Sequence, residues 1–140
     1  EDWFSIRSEV YGILQREDTL KEIVRLLGPE ALPDEEKLIL EVARMVKIGL
    51  LQQNSFDDVD TFCSPEKQFK LMKLLVDFYQ KGQQAIKEGT PLSDIRAMSS
   101  ITSILKARMD VKDDEMAKLD ELSNKMTEEF KSITGVKVSN

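Results

Sequence analysis

The chain has 140 residues, which suits one domain and lets roughly 68–70% of the unfolded surface be buried around one core. It carries 20 Lys and Arg against 26 Asp and Glu, a net charge of −6 with the signs interspersed, and so lacks the clustered basic surface that nucleic acid or anionic lipid requires. A single cysteine, Cys63, excludes an internal disulfide, the lack of histidine excludes imidazole chemistry, and no apolar run approaches the roughly 20 residues of a membrane helix.

The one-cysteine composition is compatible with a reducing compartment, and no signal peptide is visible. The chain begins at Glu1, inside an amphipathic pattern and without Met, which leads to the expectation that it is a cut piece of a longer protein.

Residues 2–27 are predicted helical. Ile6, Val10, Ile13, Leu20, Val24 and Leu27 recur at three- and four-residue spacing, and Glu17 occupies the remaining slot of that stripe. The polar run at 15–18 predicts a break, with Thr19 and Glu22 as the capping box of a second helix. Gly28 and Pro29 end the segment, because Gly suits the positive-φ position after a helix and Pro cannot continue the ladder.

A helix starts near Pro33, with Asp34, Glu35 and Glu36 in the first turn, where the dipole favours negative charge. Leu38, Val42, Met45 and Val46 form its buried stripe, and Gly49 is the expected stop, with Leu50 and Leu51 able to pack inward. Residues 52–63 are the only substantial irregular stretch at the centre of the chain.

Ser64 as N-cap and Pro65 at the first helical position restart the chain. The inner stripe of this helix is Phe69, Met72, Val76, Tyr79 and Ile86, broadened by Leu71, Leu75 and Phe78, so it is expected to be the most buried helix. Gly89, Thr90 and Pro91 repeat the stop-and-restart chemistry. A short helix over about 91–98 follows, then one from about Ser100 carrying Ile101, Ile104, Leu105 and Met109, then one over about 113–132 carrying Met116, Leu119, Ser123, Met126 and Phe130. The expectation is an all-α fold, a compact bundle of about five to six helices with short loops, over residues 1–134, followed by a frayed tail at 135–140.

No catalytic constellation is evident. There is no G-x-x-x-x-G-K-[ST] cradle for phosphates and no G-x-S-x-G elbow, so the chain cannot hydrolyse a nucleotide with the usual parts. Asp57, Asp58 and Asp60 invite a metal reading, but an EF-hand loop needs Gly at its sixth position and Glu at its twelfth. Counted from Asp58 those positions hold Cys63 and Phe69, and from Asp57 they hold Phe62 and Gln68, so a solvated turn is the better reading and no metal is expected. Cys63 reads either as a thiol activated by a helix N-terminus or as a small, partly buried apolar residue. The methionines at helical spacing, Met45, Met72, Met116 and Met126, read as core filler. Phe56 and Phe62, six apart in a polar loop, read either as a satellite cluster under the loop or as a flat wall for a planar ligand.

The spelling LLQQNSFDDVDTFC at 50–63 closely resembles the corresponding loop in the catalytic subunits of V- and A-type rotary ATPases, and so do LQRE at 14–17, IVRLLG at 23–28 and PEKQ at 65–68. The likeness covers about residues 3–79. Residues 28–37 also look like the acidic helix-turn-helix that F-type beta subunits present to their rotor, with Ala31 and Pro33 departing from that acidic pattern.

The resemblance implies the C-terminal helical domain of a protein whose upstream domain binds ATP or ADP with Mg. Nucleotide would be held only with that upstream domain, and no cofactor is expected on this chain alone. Phe56, with Ser55 beside it, matches the aromatic against the adenine, and Phe62 matches a second adenine-side aromatic of F-type relatives. Pro29, Glu30, Leu32, Pro33, Asp34, Glu35 and Glu36 would meet the central rotor stalk subunit.

Further partners implied are the non-catalytic subunits of the ring; nucleic acid binding and direct membrane insertion are not. The location implied is cytoplasmic, peripheral to the membrane in the ATPase head, where nucleotide turnover is coupled to rotation and ion transport. The competing expectation is a freestanding helical module that binds a partner helix without catalysis.

Overall fold

The computed structural model describes residues 2–51 and 64–138. The expectations for Ser55, Phe56, Phe62, Cys63 and the aspartates between them fall outside these residues. Six α-helices follow one another: α1 (Asp2–Leu27), α2 (Asp34–Val46), α3 (Pro65–Lys87), α4 (Leu92–Arg96), α5 (Ser100–Asp110) and α6 (Ala117–Val138). A 3-10 turn (Pro29–Ala31) precedes α2, a π-helical turn (Lys47–Leu51) extends it, and a second 3-10 turn (Asp113–Glu115) precedes α6. No strand occurs among the described residues, in keeping with the all-α expectation.

The axis of the bundle is α3, which packs on α1, α2, α5 and α6. Its two overlapping apolar rows bury Leu71, Met72, Leu74, Leu75, Val76, Phe78, Tyr79 and Ala85 on several faces, which suits a helix enclosed by others rather than lying on a surface. Phe78 meets Phe130 of α6 edge-on at 5.4 Å between centroids, and Trp3 of α1 lies against Phe69 at 6.0 Å. On α2 the stripe Leu38, Val42, Met45 and Val46 is sealed from solvent. Leu38 approaches Gly82 of α3 so closely that a Cβ there would lie 3.0 Å from its Cδ2. Met45, Met72 and Met126 are buried, which agrees with their reading as filler.

Helix ends form largely where local chemistry places them. Gly28 (φ 88°) closes α1 with its N–H on the Val24 carbonyl at 2.7 Å, and Gly89 (φ 102°) closes α3 in a Schellman pair, its own N–H on Ile86 and that of Thr90 on Ala85. The Ser64 hydroxyl accepts the Lys67 N–H at 3.1 Å, with Pro65 opening α3.

Five expectations need correction. First, α1 does not break at residues 15–18, because Gln15, Arg16 and Asp18 face solvent and buried Glu17 finds cations at Lys47 (2.7 Å) and Lys21 (3.5 Å). Second, Leu27 is exposed, since α1 outlasts the surface it packs against. Third, α6 runs on to Val138 rather than ending near Ser132, whereas α2 does start at Pro33 as expected, with Pro33 as its N-cap and the Pro33 carbonyl accepting the N–H groups of Glu36 and Lys37. Fourth, Gly49 does not stop the chain. It continues as a π turn whose backbone lies on α5, with the Ile104 carbonyl oxygen 3.5 Å from where a Cβ would stand. Fifth, Met109 is exposed in the last turn of α5.

Candidate functional site

The acidic connection at 28–37 is held by short backbone bonds: Ala31 N–H on Gly28 O at 3.2 Å, Leu32 N–H on Pro29 O at 3.3 Å, and two N–H groups on Pro33 O. Pro29 and Pro33 fix φ at both ends, so the turn has little freedom to bend. Leu32, 4% exposed, is the peg that fastens it to the core.

The seven residues expected to meet the rotor therefore divide. Pro29, Glu30, Pro33 and Glu35 face outward. Leu32 faces inward. The Asp34 Oδ2 accepts the backbone N–H of Leu92 at 3.1 Å, so this carboxylate caps α4. Glu36 is half-buried and, with Glu35, Arg16, Ile39 and Tyr79, lines a groove of about 430 Å³ between α1, α2 and α3. In that groove the Tyr79 hydroxyl accepts from Arg16 at 2.6 Å and from Gln83 at 3.1 Å. Lys37 reaches Glu30 only at 4.0 Å.

Beside the turn stand Leu26 and Leu27, 71% and 73% exposed. The outward surface is thus apolar and carboxylate together. Leu26 falls off the buried stripe of α1, and that off-phase leucine was the available sequence signal for it.

At the other end of α2 the chain enters residues 52–63, which carry the aromatics expected at the adenine. With a rise of 1.5 Å per residue, residues 34–50 separate the two ends by about 25 Å. The described residues nearest that segment are tied to α5: Arg108 Nη1 donates to the Leu50 carbonyl at 2.7 Å, and Lys67 Nζ donates to the carbonyls of Arg108 (2.7 Å) and Val111.

Among the described residues three titrations are displaced, the first being the Glu115 carboxyl, which the Lys112 backbone N–H holds below the usual carboxylate range. The Glu17 carboxylate holds the Lys47 ammonium above its usual range, against the opposing effect of burial. Burial works to raise the Glu129 carboxyl, but the hydroxyls and N–H groups of Ser100 and Ser99 together prevail and hold it below the usual carboxylate range, where it closes the amino end of α5. Among the described residues no three Asp, Glu or Cys side chains gather as a metal site, and no helix is long and apolar enough to cross a membrane.

Residues 1–96 match the family model of the C-terminal domain of V and A type ATP synthase. The chain belongs to that family. The match ends with Arg96, the last residue of α4, and individual relatives of these ATP synthases align through α5 and α6 as well. An A-type ATP synthase subunit of Ignicoccus hospitalis is 42% identical over 134 residues, and one of Sulfolobus acidocaldarius 46% over 133, each alignment covering 94% of this chain and 22% of the relative. The V-type ATP synthase alpha chain of Halothermothrix orenii is 38% identical over 137 residues, 93% of this chain and 23% of the relative. The chain thus spans between a fifth and a quarter of the length of these curated relatives.

Proposed function

We propose that this bundle, within residues 1–134, is the C-terminal arm of the ATP-hydrolysing and ATP-synthesising subunit of a rotary ATPase, carrying motion between a nucleotide site and a central rotor stalk. The observation that carries the reading is one rigid helix, α2, with the stiff 28–37 turn at one end and the entrance to residues 52–63 at the other. Dense cores are poorly compressible, so a displacement imposed at one end of α2 reaches the other end nearly undiminished.

Mg-ATP, bound chiefly by an upstream domain, supplies the free energy of phosphoryl transfer. The described residues provide no Mg ligand set, so this chain's share would be the adenine wall, Phe56 with Ser55 and Phe62. The non-catalytic ring subunits would flank the arm, and the assembly would stand peripheral to the membrane on its cytoplasmic side.

An aromatic stack contributes about 0.5–1.5 kcal/mol beyond area burial. Phe56→Ala in the full-length protein should therefore weaken nucleotide binding by roughly two- to tenfold, at ~1.4 kcal/mol per tenfold. Equilibrium binding of a fluorescent ATP analogue measures this, and unchanged affinity removes Phe56 from the site.

Exposed carboxylates contribute about 0–1 kcal/mol each as ion pairs and are screened beyond roughly 8 Å. The rotor is therefore met by shape, with Leu26, Leu27, Pro29 and Pro33 as the contact. Glu35→Gln with Glu36→Gln should change ATP turnover of the complex by less than about twofold, because so little free energy rides on them. Asp34→Asn keeps an acceptor for Leu92 N–H and should behave alike, whereas Asp34→Ala removes the cap of α4 and should cost about 1 kcal/mol in urea unfolding. Near-total uncoupling by the two Glu→Gln changes would show that charge, not shape, carries the torque.

A further inference from the structure

We propose that Asp34 and Glu129 are positioning residues that hold residues 91–100 as a bracket between the acidic turn and α6; the consequence for the rotor rests on the reading above that the turn meets it. Neither helix that starts in this stretch caps itself. Pro91, the N-cap of α4, has no polar side chain, and Ser99, the N-cap of α5, makes no capping bond with its own hydroxyl. The first N–H of each helix has no partner within that helix.

Carboxylates from two other helices meet both. Asp34 Oδ2, in the first turn of α2, accepts the Leu92 N–H at 3.1 Å. Glu129 Oε1, on α6, accepts the Ser100 N–H at 2.9 Å, and the two Glu129 oxygens also take the Ser99 and Ser100 hydroxyls. The partners lie 58 and 29 residues apart in sequence, so these caps are tertiary ties that also fix where the helices sit.

Between the caps the stretch cannot hold itself. Helix α4 has five residues, well below the ~12–15 at which an isolated helix becomes marginal. Leu92, Ile95 and Met98, three apart, pin one face to the core. On the exposed side Arg96 meets Glu41 of α2 at 3.6 Å with its side chain half exposed, a pair that adds little. The two end caps therefore decide when the stretch opens, and so short a unit opens as a whole. A push on the turn reaches α6 through Asp34, the bracket and Glu129, beside the path along α2.

Amide hydrogen exchange tests the bracket. The Leu92 and Ser100 N–H groups should share one protection factor, lower than that of Phe78, which is sealed in α3 and marks global unfolding. Asp34→Ala should lower the protection of both by the same factor, about fivefold for one lost cap, although Ser100 keeps its own carboxylate. Glu129→Ala should likewise lower both. Asp34→Asn keeps an acceptor and should stay within about twofold of the native chain, as should Arg96→Ala.

Ser100 unmoved by Asp34→Ala, or protection at both sites equal to that of Phe78, overturns the proposal. If Glu129→Ala does not fold, Asp34→Ala read at both sites decides alone. In the full-length complex Asp34→Ala should leave ATP turnover of the unloaded motor unchanged but stall the stalk at a lower torque in magnetic tweezers, with Asp34→Asn keeping the native stall. An unchanged stall in Asp34→Ala overturns the second load path. If Leu26→Ser with Leu27→Ser also leaves the stall unchanged, the rotor reading itself fails, and the exchange result still stands.

Discussion

Phe78→Ala should lower the unfolding free energy by about 3–5 kcal/mol, the loss typical of a phenylalanine removed from a sealed core. Phe78 has no exposed surface, sits midway along α3, and bears on Phe130 of α6 at 61° between ring planes. The substitution discards both the transfer free energy and the edge-on contact, and leaves a hole lined by side chains that belong to different helices and cannot all shift to fill it. For a chain of this size the melting temperature should fall by roughly 10–20 °C.

Urea denaturation gives the free energy, and Phe78→Leu is the comparison, expected to lose less because most of the volume remains. A double-mutant cycle with Phe130→Ala should report a coupling of about 0.5–1.5 kcal/mol. A loss below about 1 kcal/mol for Phe78→Ala would mean that α6 does not share a core with α3, in contrast to the dense packing of the two helices. The point matters for the lever reading, because an arm with a loose joint at α3 absorbs displacement instead of passing it on.

What could be read from the residues in advance follows a physical line. The stripes of α2 and α3 were legible because burial repeats with the helical period, and the ends at Gly28, Ser64 and Gly89 were legible because each depends on one residue's own φ or hydroxyl. What was not legible depends on partners distant in sequence. Glu17 was in the stripe, yet the reason α1 continues through it is Lys47, thirty residues on. Gly49 looked like a stop, yet its backbone lies on α5, so the chain keeps turning. Leu27 and Met109 kept the period to the last turn, where the packing surface had already ended.

The candidate site shows the same division. The 28–37 turn was recognisable from its prolines and acids, but which of them face outward was not, since only the fold gives Asp34 a partner on α4 and turns Leu32 inward. Lys67 and Arg108 drew no reading from the sequence, and only the fold brings them to the carbonyls of Val111 and Leu50.

Glu17→Ala should cost about 2–3 kcal/mol, somewhat below the ~3–5 kcal/mol typical when one member of a fully buried ion pair is removed. The carboxylate is 6% exposed and serves Lys47 at 2.7 Å and Lys21 at 3.5 Å, joining the middle of α1 to the end of α2. The lysines are not sealed in, so after the substitution water takes them up again and spares part of the penalty.

Two further variants separate volume from charge. Glu17→Gln keeps the shape and one acceptor but drops the charge, and should cost about 1–2 kcal/mol. Glu17→Leu fills the space without any desolvation and should return to within about 1 kcal/mol of the native chain, because replacing a buried pair by apolar packing is often neutral. The sign of the pH effect follows from Lys47. Its folded pKa lies above the ordinary value of 10.5, so the pair contributes fully below pH 10.5 and is lost as pH rises through the folded value. Unfolding curves taken between about pH 9 and 12 should therefore fall more steeply for the native chain than for Glu17→Gln. If Glu17→Gln is neutral and its alkaline limb matches that of the native chain, the contact between α1 and α2 is held by packing alone and the carboxylate is a passenger in the stripe.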